Sequence, residues 1–245
     1  MQSRSRTTAA PALDLPPPYH LVTLREVGDA FAHARAIAAE EGAGTLVHVG
    51  RFDLSEFAVV LEPEEPLASA RRAFYACMVA LRDALLVYAP PERPITFGWP
   101  DSVHIDGGLI GGGRMAWPAH AADTEPPDWL VFGATVRIVS IGENDAGLRP
   151  LATTLGDEGF DDAGSGRLVE SFARHLMVAM DAWAEFVTST PSMNPIHAHR
   201  HGRGRRGIPA KFYRPLADVK ESLQGEAKGH RPGPVLDIDL ACGSP

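Results

Sequence analysis

Lysine is almost missing from this chain. Of 23 basic residues only Lys211, Lys220 and Lys228 are lysines, and residues 1–210 contain none. Any reaction that needs a lysine ammonium from that region is therefore excluded. The other basic residues are arginines, which carry a permanent charge on a planar fork and do not replace lysine in every role. A GC-rich genome, which encodes arginine more often than lysine, is the simplest explanation of this bias.

Cysteine and long apolar runs are also scarce. The 245 residues include only Cys77 and Cys242, which excludes a disulfide framework and favours a reducing compartment. The amino terminus lacks the apolar stretch of a secretory signal or membrane anchor. A content of 44% hydrophobic and 22% charged residues, with a formal charge of −8, is typical of a soluble globular chain. We therefore predict a cytoplasmic protein with no membrane partner.

Composition divides the chain into three parts. Residues 1–20 are rich in Pro, Ser, Thr and Arg and have no periodicity, which predicts a flexible arm. Residues 21–190 hold the periodic segments and form the predicted domain. Residues 191–245 carry nine basic and five acidic side chains and read as a basic tail or a small appended module. Because the chain is acidic overall and contains no recognisable nucleic-acid-binding motif, we predict no nucleic-acid partner.

Periodicity within residues 21–190 predicts helices at both ends and strands between them. Thr23 and Glu26 form a capping-box pattern before an apolar helical repeat that Gly42 ends. Further helices are predicted over 67–88 and from Leu168 to Trp183. The predicted strands cover 45–49, 57–61, 95–99, 103–105, 109–117 and 129–141, with a hairpin turn at Asp106-Gly107. This order predicts an α+β fold, with a mixed, largely antiparallel sheet flanked by helices.

The glycine-rich hairpin carries the strongest functional signal. Residues 107–114 contain five glycines, so their backbone amides can approach a ligand, but the run lacks the Gly-Lys-Ser/Thr of a phosphate-binding loop. Together with the preceding Gly98-Trp99-Pro100-Asp101-Ser102, it resembles the signature of the biotin/lipoate protein ligase superfamily. Trp99 and Pro100 match the family's Lys-Trp-Pro-Asn-Asp segment, Asp106-Gly107 its turn, and Ile110 and Gly112 its exit strand.

The resemblance covers about residues 20–190. Leu130–Arg137 resembles a later family strand, with Gly133 on its first glycine, and residues 89–92 resemble a divergent bacterial ligase-like subgroup. The resemblance implies that ATP and Mg²⁺ activate a carboxylic acid as an acyl-adenylate and that the acyl group passes to a lysine of a carrier protein. The implied ligand is biotin, lipoate or a fatty acyl group. The implied partner is a biotin-carrier or acyl-carrier protein.

Several family positions have changed. Gly98 and Leu109 stand where the family has lysine-type residues, the nucleotide-binding loop is reduced to Gly50-Arg51, and Arg137 replaces an asparagine. Loss of one charged donor to a transition state costs about 10²–10³ in rate. The sequence therefore leaves open whether the protein is an enzyme. The alternative is a non-catalytic binder of a carboxylate or adenylate that has lost adenylation.

The resemblance also implies a set of site residues. Asp101 and Arg114 are candidate catalytic residues, and Asp101 is a candidate Mg²⁺ ligand. The arginines suit a carboxylate or phosphate because a guanidinium makes two parallel hydrogen bonds, although each can equally be a solvated charge at a strand end. The candidate ligand-binding residues lie on the hairpin or at neighbouring strand ends: Arg51, Trp99, Pro100, Gly111, Gly112, Gly113, Gly133 and Arg137.

Other chemistry-bearing residues fit simpler roles. Cys77 lies on an apolar helical stripe and is predicted to be a core thiol rather than a nucleophile. His104 is predicted to be a surface histidine of the hairpin, with proton transfer as the alternative. His197, His199 and His201 alternate in the basic tail and lack the further ligands of a designed metal site.

Overall fold

We describe the fold from a computed structural model. The structure describes residues 13–141 and 151–189, with the backbone alone for 184–189. Residues 1–12 of the predicted arm and the predicted tail, 191–245, lie outside the described residues.

Seven strands and four helices make up the described chain. The helices are α1 (Ala30–Glu41), α2 (Leu67–Ala70), α3 (Ala73–Leu86) and α4 (Ser165–Ser189). The strands are β1 (His20–Leu24), β2 (Thr45–Val49), β3 (Leu54–Leu61), β4 (Ile95–Gly98), β5 (Ser102–Ile105), β6 (Gly108–Ala116) and β7 (Leu130–Arg137).

All seven strands belong to one sheet, in the order β1-β2-β3-β7-β6-β5-β4. Only β1 and β2 pair in parallel, and the other neighbours are antiparallel. Strand β7 lies between β3 and β6, and it therefore joins the first strands of the chain to the glycine hairpin. The prediction of an α+β fold with a mixed, largely antiparallel sheet is confirmed.

The sheet is covered unequally on its two faces. Helices α3 and α4 cover one face, where Phe172 of α4 packs between Phe57 and Phe132 with ring centroids 4.7 and 5.8 Å away. Helix α1 packs on the other face through Phe31, Ala34 and other small residues, against β2, β3 and β7. We call this second face the α1 face. Beyond α1, its side chains on β4, β5 and β6 are not covered by a described helix.

The first helix begins later than its sequence pattern predicts. Residues 20–24 form β1, and Asp29, not Thr23, caps the helix by accepting a hydrogen bond from Ala32 N at 2.8 Å. The capping box at Thr23 and Glu26 was therefore wrong. Parallel pairing of β1 with β2 satisfies the backbone of residues 20–24, and this tertiary pairing overrides the local helical pattern.

Part of the predicted arm is packed on the domain. Leu13, Leu15 and Tyr19 lie against the core, and the Tyr19 hydroxyl donates to Ala173 O of α4 at 2.9 Å. Asp14 forms an ion pair with Arg174 at 2.8 Å. The prediction of a flexible arm over 1–20 is therefore wrong for 13–20, because apolar residues within that polar stretch bury themselves against α4.

The remaining element predictions hold with shifted bounds. The helix predicted over 67–88 is divided into α2 and α3, and the strand predicted over 129–141 ends at Arg137. At the predicted hairpin turn, Asp106 and Gly107 have φ values of 49° and 84°, as a type I′ turn requires. No described helix is both long and apolar enough to span a membrane.

Candidate ligand site on the uncovered half of the sheet

The ladder register aligns five residues across the α1 face. Gly98 pairs with Ser102, Ser102 with Gly112, Gly112 with Thr135, and Thr135 with Glu56. Paired residues of neighbouring strands point to the same side, and Glu56 pairs with Val49, which packs under α1. We call these five half-buried residues the open row. It brings the glycine hairpin to the amino terminus of α1.

Two carboxylates close the end of the open row beside α1. Glu56 Oε1 accepts a hydrogen bond from Ala30 N at 2.9 Å, and Asp29 caps the same helical turn. Burial raises the pKa of Glu56 above its usual range, while the Ala30 amide and the nearby arginines act in the opposite direction. The first amides of α1 are therefore already bonded to protein carboxylates.

Arg114 lies beside the open row on β6. Its guanidinium carbon lies 4.3 Å from the ring centroid of Phe31, and its Nη2 lies 3.3 Å from Asp29 Oδ1. Gly133, which pairs with Arg114, leaves the space that the Phe31 ring occupies. The structure thus brings two of the predicted residues, Arg114 and Gly133, together at α1.

Two further predicted arginines lie near this region but differ in their partners. Arg51 follows β2 and donates from Nε to Asp53 Oδ1 at 3.1 Å, and this hydrogen bond holds the pKa of Asp53 below its usual range. Arg137 ends β7 two residues beyond Thr135, on the same face as the open row. It is half-buried and forms no ion pair with another described residue.

Side chains of β5 occupy the space above Gly98. A Cβ at this position would lie 2.4 Å from Ser102 Oγ and 2.8 Å from His104 Nε2. Ser102 Oγ in turn lies 3.0 Å from His104 Nε2 and 3.0 Å from the Gly98 carbonyl oxygen. The space beside Gly98, the residue that the resemblance aligns with a family lysine, therefore holds a serine and a histidine from the neighbouring strand.

Trp99 is separated from the open row. Its ring stacks on Tyr75 of α3, with centroids 5.4 Å apart and an interplanar angle of 10°. Helix α3 covers the opposite face of the sheet, so the Trp99 ring contacts that side of the molecule. The Trp99–Pro100 peptide bond is cis.

The predicted magnesium ligand Asp101 is a buried carboxyl group. It is 4% exposed, and burial raises the pKa of its carboxyl above the usual range. Magnesium is held by several oxygen ligands, commonly with one or two carboxylates. No group of three or more His, Cys, Asp or Glu suited to a metal occurs among the described residues. Asp101 would therefore be a single carboxylate ligand, and its role toward Mg²⁺ stays a prediction.

The three consecutive glycines of β6 serve close packing. A Cβ at Gly111 would meet the Thr135 carbonyl oxygen at 2.0 Å, and one at Gly113 would meet the Phe132 ring at 2.7 Å. The Gly113 amide donates to the Asp101 carbonyl at 2.9 Å. A Cβ at Gly112 would likewise lie 2.4 Å from the Asp101 carbonyl oxygen, so all three glycines have a structural explanation, and of the three only Gly112 belongs to the open row.

Sequence reasoning missed four polar residues of this region. Asp29, Glu56, Ser102 and Thr135 were not predicted as site residues, although strand alternation in Leu54–Leu61 marks Glu56 as a polar residue of the Val60 face. An aspartate just before an apolar helical repeat is also a known start signal, so Asp29 could have been recognised from the sequence. The other two depend on strand pairing, which the sequence does not give.

This architecture, a mixed seven-stranded sheet with flanking helices, matches the fold of biotin protein ligase catalytic domains. The family model described as "Biotin/lipoate A/B protein ligase family" matches residues 15–190. The chain belongs to this family. No curated protein sequence matches it.

Solved structures agree with the family assignment. A biotin protein ligase-like protein of unknown function from Silicibacter sp. TM1040 is 35% identical, with 71% of this chain and 75% of that chain covered and a TM-score of 0.63. Biotin protein ligase from Aquifex aeolicus is 17% identical, with 67% and 70% covered and a TM-score of 0.53. The same enzyme in complex with biotin and ATP is 17% identical, with 67% and 72% covered and a TM-score of 0.51. At this identity the Aquifex structures support the fold alone.

Proposed function

We propose that this protein binds a small carboxylic acid or its acyl derivative, of the biotin, lipoate or fatty acyl class, along the open row. The observation that carries this proposal is the placement of two arginine residues on either side of the row by the strand register. Arg114 lies two residues beyond Gly112, and Arg137 lies two residues beyond Thr135 on an antiparallel neighbour. A guanidinium binds a carboxylate through two parallel hydrogen bonds.

The two arginines have different roles in this proposal. Arg137, which has no described ion-pair partner, is the carboxylate-binding residue. Arg114 is held by Asp29 and Phe31 and shapes the wall of the site where α1 begins.

Adenylation by the family's route does not fit these residues. No lysine precedes residue 211, Ser102 and His104 occupy the space above Gly98, and Arg51 is engaged by Asp53. These three observations favour a binder that does not use ATP over a ligase.

A thermal-shift titration of the full chain with octanoate, biotin and lipoate tests the proposal. A ligand that binds only the folded state stabilises it by RT ln(1 + [L]/Kd). We expect at least one acid to raise the midpoint, Arg137→Gln to remove the rise, and ATP with Mg²⁺ to add nothing. Arg35→Gln is the matched control, since this exposed arginine contacts Phe31 at 5.7 Å from outside the open row. No shift with any of the acids overturns the proposal.

The second candidate is a ligase that attaches an acyl or biotinyl group to a carrier protein through an acyl-adenylate. Family membership over residues 15–190 favours it. ATP–pyrophosphate exchange that depends on one of the three acids supports this candidate. Silence with all three, together with binding of one, supports the ATP-independent binder.

A further inference from the structure

Ser102 and His104 form a hydrogen-bonded pair on the α1 face. Ser102 Oγ lies 3.0 Å from His104 Nε2, and His104 Nδ1 lies 3.4 Å from the Gly107 carbonyl oxygen. A carbonyl oxygen only accepts hydrogen bonds, so this second contact favours the tautomer with its proton on Nδ1. Nε2 then carries a lone pair that faces Ser102 Oγ, and the single hydroxyl proton of Ser102 is shared between this nitrogen and the Gly98 carbonyl oxygen, each 3.0 Å away. A hydroxyl, an imidazole and a group that orients the imidazole constitute an activated nucleophile.

The strand geometry keeps this pair in contact. Residues 102 and 104 are two apart on β5, so both side chains stand on the same face. Any Cβ at residue 98 would lie 2.4 Å from Ser102 Oγ and would push the pair apart. The contact between Ser102 and His104 therefore requires glycine at position 98. Both side chains are half-buried, so the pair is accessible from the open row.

We propose that Ser102 is a nucleophile that takes an acyl group from a thioester or ester, with His104 as its general base. The inference rests on the proposed function, since the acyl group occupies the open row. It adds a covalent step that requires neither ATP nor a lysine. It also gives the serine and histidine in the space above Gly98 a chemical role.

The reaction balances with a thioester and water as reactants. Ser102 Oγ bonds to the acyl carbon while its proton passes to His104 Nε2. The carbon–sulfur bond breaks, and the departing thiolate takes that proton as a free thiol. Water then attacks the acyl-serine and gives a proton to His104 Nε2. The Ser102 Oγ–carbon bond breaks, the serine recovers its proton, and the acid leaves.

Incubation of the full chain with p-nitrophenyl octanoate and with the octanoyl thioester of N-acetylcysteamine tests this inference. We expect a burst of about one equivalent of nitrophenolate per chain and an octanoyl adduct on Ser102 by mass spectrometry. Ser102→Ala should abolish the adduct. His104→Asn should slow acylation by about 10²–10⁴. Ser102→Cys should restore an adduct, because a thiol replaces the hydroxyl at the same place.

Matched controls come from the same domain. Ser69→Ala removes an exposed hydroxyl that donates to Pro66 O, and His120→Asn removes an exposed imidazole beside Asp128. Both variants should retain wild-type acylation. Thermal midpoints near the wild-type value show that Ser102→Ala and His104→Asn still fold.

Two results overturn the inference: an absent adduct in the wild type, or an adduct that persists in Ser102→Ala. Its failure is distinguishable from that of the proposed function. Stabilisation by octanoate without any adduct would reject Ser102 as a nucleophile and retain the proposed binding of carboxylic acids. An adduct on Ser102 without stabilisation by any of the three acids removes the free-acid binder and leaves the nucleophile.

Discussion

The guanidinium carbon of Arg114 lies 4.3 Å from the ring centroid of Phe31, and the ring itself fills the space above Gly133. A strand residue, an aromatic ring and a glycine thus form one packed unit at the start of α1. Arg114 flanks the open row. Its position therefore depends on Gly133, which is buried beneath the Phe31 ring and does not itself line the site.

Gly133→Ala should therefore weaken both the fold and ligand binding. The added Cβ would lie 2.6 Å from Phe31 Cδ2, so the ring must move and Arg114 with it. Overpacking of this kind costs about 1–3 kcal/mol in free energy of unfolding, measurable by urea denaturation. Gly164→Ala is the control, because a Cβ there meets nothing within 4 Å. Equal stability of the two variants would contradict the packing argument.

Gly98→Lys should not recreate a ligase. Its Cβ collides with Ser102 Oγ, so we expect a loss of about 1–3 kcal/mol and no ATP–pyrophosphate exchange. Adding Ser102→Gly and His104→Ala removes the collision and should recover much of the lost stability. A mutant cycle measures this recovery as the interaction free energy between the substitutions. Additive losses across the three substitutions would show that the side chains do not compete for one space.

The stability of the domain should fall on mild acidification through His48. This side chain is 6% exposed, and its Nε2 lies 3.1 Å from Ser165 Oγ at the start of α4. Burial lowers the pKa of His48 below its usual value of 6.5. Between the two pKa values the unfolded chain binds more protons, so the free energy of unfolding decreases as the pH falls.

The variant His48→Gln isolates this contribution. It keeps a hydrogen-bonding group beside Ser165 but does not titrate. Urea denaturation from about pH 7.5 to about pH 5 should show a smaller loss of stability in the variant than in the wild type. Parallel curves for the two proteins would exclude His48 as the source.

Cys77 should be unreactive in the folded protein. It is fully buried in α3, and burial raises the pKa of its thiol well above the usual range. Because the thiolate is the reactive form, a disulfide reagent should modify Cys77 slowly under native conditions and fully in denaturant. The measurement uses a Cys242→Ser background. Rapid native modification would reopen a nucleophilic role for Cys77.

Much of the fold follows from patterns that are local in sequence. The turn at Asp106-Gly107 was predictable because its two residues tolerate positive φ, and α4 because its apolar stripe repeats over several turns. Strand β1 was not predictable in this way. Its five residues acquire strand structure only by pairing with β2, a partner that lies beyond α1.

The site was less predictable than the fold. Resemblance pointed to Arg114, Gly112 and Gly133, which the structure brings to one region. It gave no reason to select Ser102, whose contact with His104 depends on a glycine on the neighbouring strand. The direction of the Trp99 ring follows from Tyr75, a helical residue far away in sequence. Such relationships arise from strand register and packing rather than from residue type.

Formation of the site requires strand β7. Glu56 lies on β3, whereas Gly98, Ser102 and Gly112 lie on β4, β5 and β6. Strand β3 pairs with none of these three strands, and β7 connects the two groups because it pairs with both β3 and β6. A nascent or truncated chain that ends before β7 holds two separate halves. Ligand recognition is consequently a property of the assembled sheet, because the site requires strands from both sides of β7.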